Sequence, residues 1–203
     1  MSNGIAFPVL RTPDADAAVR AARSLLALGD RRFAEVWVEA VLPAPGDVLR
    51  MRAALPDGVF SVRWRAWHDE DRTGLLMGVY GRELPDDPAF LAGQVPLWFS
   101  LEDQPPDTVE DTFREQVGDC PGWLHWWNLH WPEVPEEGLY SDHKHAEVTV
   151  LFNTATAELD EPAAHHTVLV TVRRRNMDGY ELRHASWLAA RAGLAVVGEP
   201  HEE

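Results

Sequence analysis

At 203 residues with 45% apolar content, the chain is long enough to bury one sizeable core, and its formal net charge of −15 sets it against anionic partners. That charge disfavours nucleic-acid binding, which draws on Lys and Arg to neutralise phosphates, and attachment to anionic lipid; no apolar run reaches the ~20 residues of a membrane span. A single cysteine, Cys120, excludes an intramolecular disulfide framework, and the opening eight residues lack the charged and apolar regions of a secretory leader, so the expectation is a cytoplasmic protein.

In chain order, Thr12 in the capping role, Pro13, the acids Asp14 and Asp16, and Gly29 as a stop predict a first helix with Ala15, Val19, Ala22 and Leu26 inward. Residues 33–42 alternate Ala34, Val36, Val38 and Ala40 with Glu35, Trp37 and Glu39, the pattern of a half-buried strand. Residues 59–68 and 75–84 alternate likewise around the turn at 69–74 and read as a hairpin. A Pro/Asp-rich loop leads to a short strand at 96–101. Asp107 with Glu110 three residues on fits a capping box, opening a short helix with Val109, Phe113 and Val117 on one face and Gly118 as its stop.

Pro121 and Pro132 then bracket a Trp/His-rich run. As a helix over 121–131 it gathers Trp123, Trp126, Trp127, His130 and Trp131 on one broad face. As a strand it splits them, with Trp123, His125, Trp127, Leu129 and Trp131 opposite Trp126 and His130. The helix is the expectation. Residues 146–154 and 167–174 read as strands of a simple hairpin that sets His145 opposite Arg174 and His165 opposite Thr154. Asp178 is placed to cap a last helix with Tyr180, Trp187 and Leu188 inward and Gly193 at its end, followed by an edge strand at 194–197. Strands outnumber helices and hairpin adjacencies dominate. The expected fold is α+β, a mostly antiparallel sheet with helices packed on one face, in a single domain 1–203 that carries an acidic Trp/His-rich insertion at 101–145.

Seven of the nine histidines lie between His125 and His184, which raises the question of a metal. His143 and His145 share one side of an extended chain, with Glu147 next, but the hairpin places His165 and His166 at its other end. His143 and His145 are therefore weak candidates, and no metal or other cofactor is expected. Cys120 has no identifiable catalytic partner and reads as a structural thiol. Phosphate loops, dinucleotide fingerprints and nucleophile elbows are absent from the sequence.

Residues 101–161 hold fifteen acids against Arg114 and Lys144, and so carry thirteen of the fifteen net negative charges. An acidic surface bearing tryptophan favours a basic protein partner, because opposite fields steer association and indoles anchor interfaces. The expected contact residues are Trp126, Trp127, His130 and Trp131, rimmed by Glu133, Glu136 and Glu137. In bulk properties the chain resembles bacterial immunity proteins that block basic nuclease toxins, and seventeen arginines to one lysine with abundant alanine suit a bacterial source. The alternative is a small-molecule-binding protein or enzyme whose pocket is lined by the same tryptophans and histidines, with His130, His143 or His145 as acid–base groups.

Overall fold

The computed structural model describes residues 4–62, 79–142, 144–175 and 177–202. Its elements run β1 (Gly4–Thr12), α1 (Ala15–Leu26), β2 (Glu35–Leu42), α2 (Pro45–Ala54), β3 (Val59–Ser61), β4 (Val79–Tyr80), α3 (Pro88–Ala92), β5 (Leu97–Gln104), α4 (Glu110–Val117), β6 (Gly122–Trp127), β7 (Glu147–Phe152), β8 (His166–Arg173), α5 (Tyr180–Arg191) and β9 (His201–Glu202). The fold is α+β, and the strand pairs with a described register are antiparallel. Two compact units result, each assembled from separate stretches: residues 1–35, 125–151 and 163–203 form the first, and residues 36–124 and 152–162 the second. The stretch 101–145 is shared between them.

In the first unit the strands follow the order β7-β8-β1-β9. β8 is buried along nearly its whole length, as expected of a run dominated by Val and Thr, and α1 and α5 lie side by side against β8 and β1. α1 is capped by Asp14, whose carboxylate accepts from the Ala17 N–H at 3.1 Å, while Thr12 instead accepts the Asp14 N–H. β1 gave no clear sequence signal because Pro8 interrupts the alternation. The strand absorbs it with a register shift between Pro8 and Leu10. The Pro8 carbonyl accepts from the Val197 N–H, and the C-terminal partner of β1 is β9, at 201–202, in place of the edge strand expected at 194–197. β7 and β8 pair Val148 with Val170 and Glu147 with Thr171, one residue away from the expected register. That step sets apolar side chains opposite one another, and the long turn absorbs it through left-handed residues at Asn153 and Leu159.

In the second unit the order is β4-β3-β5-β2. β2 buries Val36, Val38, Ala40 and Leu42 and leaves Trp37, Glu39 and Val41 half-exposed, as its alternation requires. Val59 pairs with Tyr80 and Phe60 with Val79, so the two expected strands are antiparallel neighbours, but the second ends at Tyr80 and a 3-10 turn, Gly81–Glu83, replaces its expected end at 84; residues 63–78 lie outside the described residues. β5 extends to Gln104, past the expected end at 101, because it continues to pair with β2 as far as Val36. α4 begins at Glu110 with Val109, and not Asp107, at its N-cap and no side-chain cap; the Glu110 carboxylate accepts the N–H groups of Asp107 and Val109, and the helix closes at Gly118 as expected, where φ is +52°. α2 gave no signal, since Pro45-Gly46 reads as a loop. Pro45 in fact occupies the first turn, where a missing N–H costs nothing, and the Asp47 carboxylate accepts the Ala44 N–H. α4 covers the buried side of β2: a methyl on Gly122 would lie 2.9 Å from Val117 Cγ2 and 3.3 Å from Ala40 Cβ.

Candidate functional site

The Trp/His run is a strand, and this overturns the expected helix over 121–131. Aromatic residues suit a pleated surface, and pairing into a sheet outweighs the two flanking prolines. In β6, Gly122, Leu124 and Trp126 point inward while Trp123, His125 and Trp127 are half-exposed. The alternation stops at Asn128, whose φ of +56° turns the chain, and Leu129 and Trp131 beyond it are buried.

Of the expected contact residues, Trp126 is 1% exposed and Trp131 fully buried, so neither offers a surface for a partner. The Trp131 indole Nε1 donates to the Thr171 carbonyl at 2.9 Å. Trp127 and His130 are half-buried; His130 exchanges backbone hydrogen bonds with Asp30, and its ring sits 6.3 Å from that of Phe33. Glu133, Glu136 and Glu137 are exposed. The last two belong to a 3-10 turn, Pro135–Glu137, closed by Gly138 in the left-handed region and framed by the bridges Val134 to Leu139 and Trp131 to Asp142. The predicted set is thus divided between a structural core and an acidic turn tip.

His143 lies outside the described residues. At His145 φ is +57°, which breaks the extended geometry that would set it on one side with Glu147. Burial, with Arg173 and Lys144 nearby, lowers the pKa of His145. Among the described residues no group of three or more His, Cys, Asp or Glu is placed to hold a metal ion, and no helix is long and apolar enough to cross a membrane.

The sequence reading missed two polar groupings in the first unit. On β6 and β7, His125 Nδ1 and the Thr149 hydroxyl are 2.8 Å apart, and His125 Nε2 is 3.7 Å from the Glu147 carboxylate. Burial pushes the imidazole down to about 4, so it is neutral at neutral pH. Glu147 and Thr149 two apart on a strand could have flagged it, but the cross-strand histidine could not be paired with them without a register. In the second grouping, the fully buried Asp142 carboxylate bonds the Arg175 guanidinium through one oxygen, while the other lies 3.7 Å from Nδ1 of His184, which is also fully buried. Desolvation holds His184 neutral against the attraction of Asp142. The guanidinium is also 4.9 Å from the centre of the exposed Tyr140 ring, which stacks on Tyr180, and the Tyr180 hydroxyl accepts the Tyr140 N–H. Of these residues only Tyr140 is exposed; the others are buried or half-buried.

An acidic aromatic surface does occur, in the second unit. That unit holds nineteen acids against seven bases, whereas the first holds fourteen against eleven. On β3, β5 and β2 the side chains facing away from the core are half-exposed to exposed. Register sets Val59, Ser100 and Glu39 in one row and Ser61, Trp98 and Val41 in the next. Trp37 lies along the same face of β2, with its Nε1 donating to Asp103 at 2.9 Å. An open depression of about 480 Å³ is lined there by Asp57, Val59, Ser100, Leu101, Glu102 and Gln104, and the Ser100 hydroxyl donates to Glu102. Asp111, Glu115 and Asp119 are exposed on and beside α4. No family model, curated protein or solved structure matches the chain.

Proposed function

We propose that this protein is an interaction domain that engages a basic protein partner, in the manner of an immunity-type inhibitor, through the outward face of β2, β3 and β5. The observation that carries this reading is the coincidence of half-exposed Trp37 and Trp98 with Asp57, Glu39 and Glu102 in the unit that holds most of the excess negative charge. Indoles supply anchor area at low entropic cost, and rim carboxylates accelerate encounter with a cationic surface and repel anionic ones. The contact surface therefore moves from the tryptophan run to the sheet face, while the chemistry of the partner stays as the charge implies.

The test is a titration of the full chain against a panel of purified basic nuclease domains, with polylysine as the non-specific control. Salt is raised from about 0.05 to about 0.3 M, across which exposed charges become largely screened. The expected result is one tight complex that weakens steeply with salt and at least tenfold in Asp57→Lys/Glu102→Lys. No domain binding above polylysine, or a complex indifferent to that double substitution, would reject the proposal.

A second reading, a small-molecule-binding protein or enzyme, draws support from His125, Thr149 and Glu147, where an imidazole meets a hydroxyl on one side and a carboxylate on the other. It requires turnover of a small activated ester to exceed the buffer rate and to vanish in Thr149→Val; equal rates for buffer and protein dispose of it.

A further inference from the structure

In the first unit, α5 turns Tyr180, His184, Ala185, Leu188 and Ala189 inward and presents Leu182, Arg183, Ser186 and Ala190 outward. Leu182 is 50% exposed, a large apolar side chain on the outward face of a helix whose inner face is already satisfied. Beside it, half-buried Trp187 packs against Val134, Leu139 and Tyr180, with the Arg191 guanidinium 5.8 Å from its ring centre. An open depression of about 460 Å³ lies between this helix face and the acidic turn, lined by Glu137, Leu139, Leu182, Arg183, Ser186 and Trp187.

Two charged residues line this depression, Glu137 on the turn side and Arg183 on the helix side, and Arg191 lies over the ring of the lining Trp187. Neither Glu137 nor Arg183 is in an ion pair among the described residues. A uniformly cationic partner would satisfy only the acidic border and would meet Arg183 and Arg191 unfavourably on the other. A second copy turned through a two-fold axis meets both, since each acidic turn then faces the partner's basic helix border. Small Ser186 and Ala190, four apart, let the two α5 helices approach closely around Leu182 and Trp187.

We infer that this face is a two-fold homodimer interface, in which Leu182 and Trp187 of one α5 pack against those of the partner and Glu137 of each copy pairs with Arg183 of the other. The surface is on the first unit, apart from the acidic face proposed for a basic partner, and either assignment can fail alone. Six residues line the depression, against roughly 20–30 a side in a standard interface, so the dimer is weak and concentration-dependent.

Sedimentation of the full chain from about 5 to about 500 μM reads this directly, the micromolar regime of a modest interface. The weight-average mass is expected to rise from 22.8 kDa towards twice that value. Glu137→Arg and Arg183→Glu each weaken association about tenfold by placing like charges together, the double variant Glu137→Arg/Arg183→Glu restores it, and Leu182→Asp abolishes it. Asp57→Lys/Glu102→Lys, on the second unit, leaves the mass curve unchanged. A wild-type mass fixed at 22.8 kDa throughout, single reversals without effect, a double variant that does not recover, or loss of the dimer in Asp57→Lys/Glu102→Lys each overturns the inference. Unchanged thermal melts in the single variants assign any loss to the interface and not to unfolding.

Discussion

The indole of Trp131 and the carbonyl of Thr171 are forty residues apart in sequence and 2.9 Å apart in space, and their hydrogen bond ties the excursion between β6 and β7 to the most buried strand of the first unit. Trp131→Phe keeps most of the packing but leaves the buried carbonyl without this donor, and it is expected to cost about 1–2 kcal/mol. Trp131→Ala adds a cavity and should cost about 3–5 kcal/mol. Urea denaturation of both variants checks this; equal losses would mean that the hydrogen bond, and not the ring volume, dominates.

Stability should fall in mild acid. Burial lowers the His125 pKa to about 4, and His184, His166 and His145 are lowered in the same direction, so the unfolded chain binds more protons than the folded one below the ordinary histidine value near 6.5. The contribution is fully present above that value and is lost as pH drops from about 6.5 towards about 4. For His125 alone the ceiling is about 3 kcal/mol, reduced by the 18% exposure of its side chain. Unfolding free energies measured between pH 8 and pH 4.5, on the wild type and on His125→Asn, should show a shallower slope in the variant. Parallel profiles would contradict the assignment.

Removal of Arg175 should be more damaging than its partly exposed position suggests. Arg175→Met leaves Asp142 as a fully buried carboxylate whose second oxygen has no hydrogen bond, beside a neutral His184. A loss of about 3 kcal/mol is expected, and Arg175→Met/Asp142→Leu should recover part of it because no uncompensated charge then remains. A double-mutant cycle in denaturant measures the coupling, and an additive cycle would show that the pair is not linked.

Cys120 should be inert in the native protein. The thiol is buried, and desolvation together with the Asp47 carboxylate raises its pKa to about 11, leaving little thiolate at neutral pH. Labelling by a thiol reagent at pH 8 should proceed only through unfolding and accelerate as denaturant is added. Rapid stoichiometric labelling of the native chain would refute this.

Elements whose signal lies within a single segment were legible in the sequence. Alternation located β2, and the apolar spacing of Phe113 and Val117 located α4, because periodicity is local geometry, although the cap expected from Asp107 does not form. β1 and α2 were not legible, since Pro8 and Pro45 read as interruptions until a bulge and a first-turn position are supplied by the surrounding structure. The β7–β8 register was off by one residue for a related reason: turn conformation at Asn153 and Leu159 is a matter of φ, which composition does not reveal.

What the sequence determined by itself was the α+β class and the sign and size of the net charge, quantities that follow from local patterning and from counting. What only the tertiary structure decided was which aromatic rings meet solvent. Trp126 and Trp131 are core while Trp37 and Trp98 face outward, because a strand sends neighbouring side chains to opposite sides and the packing of distant segments chooses which side is covered.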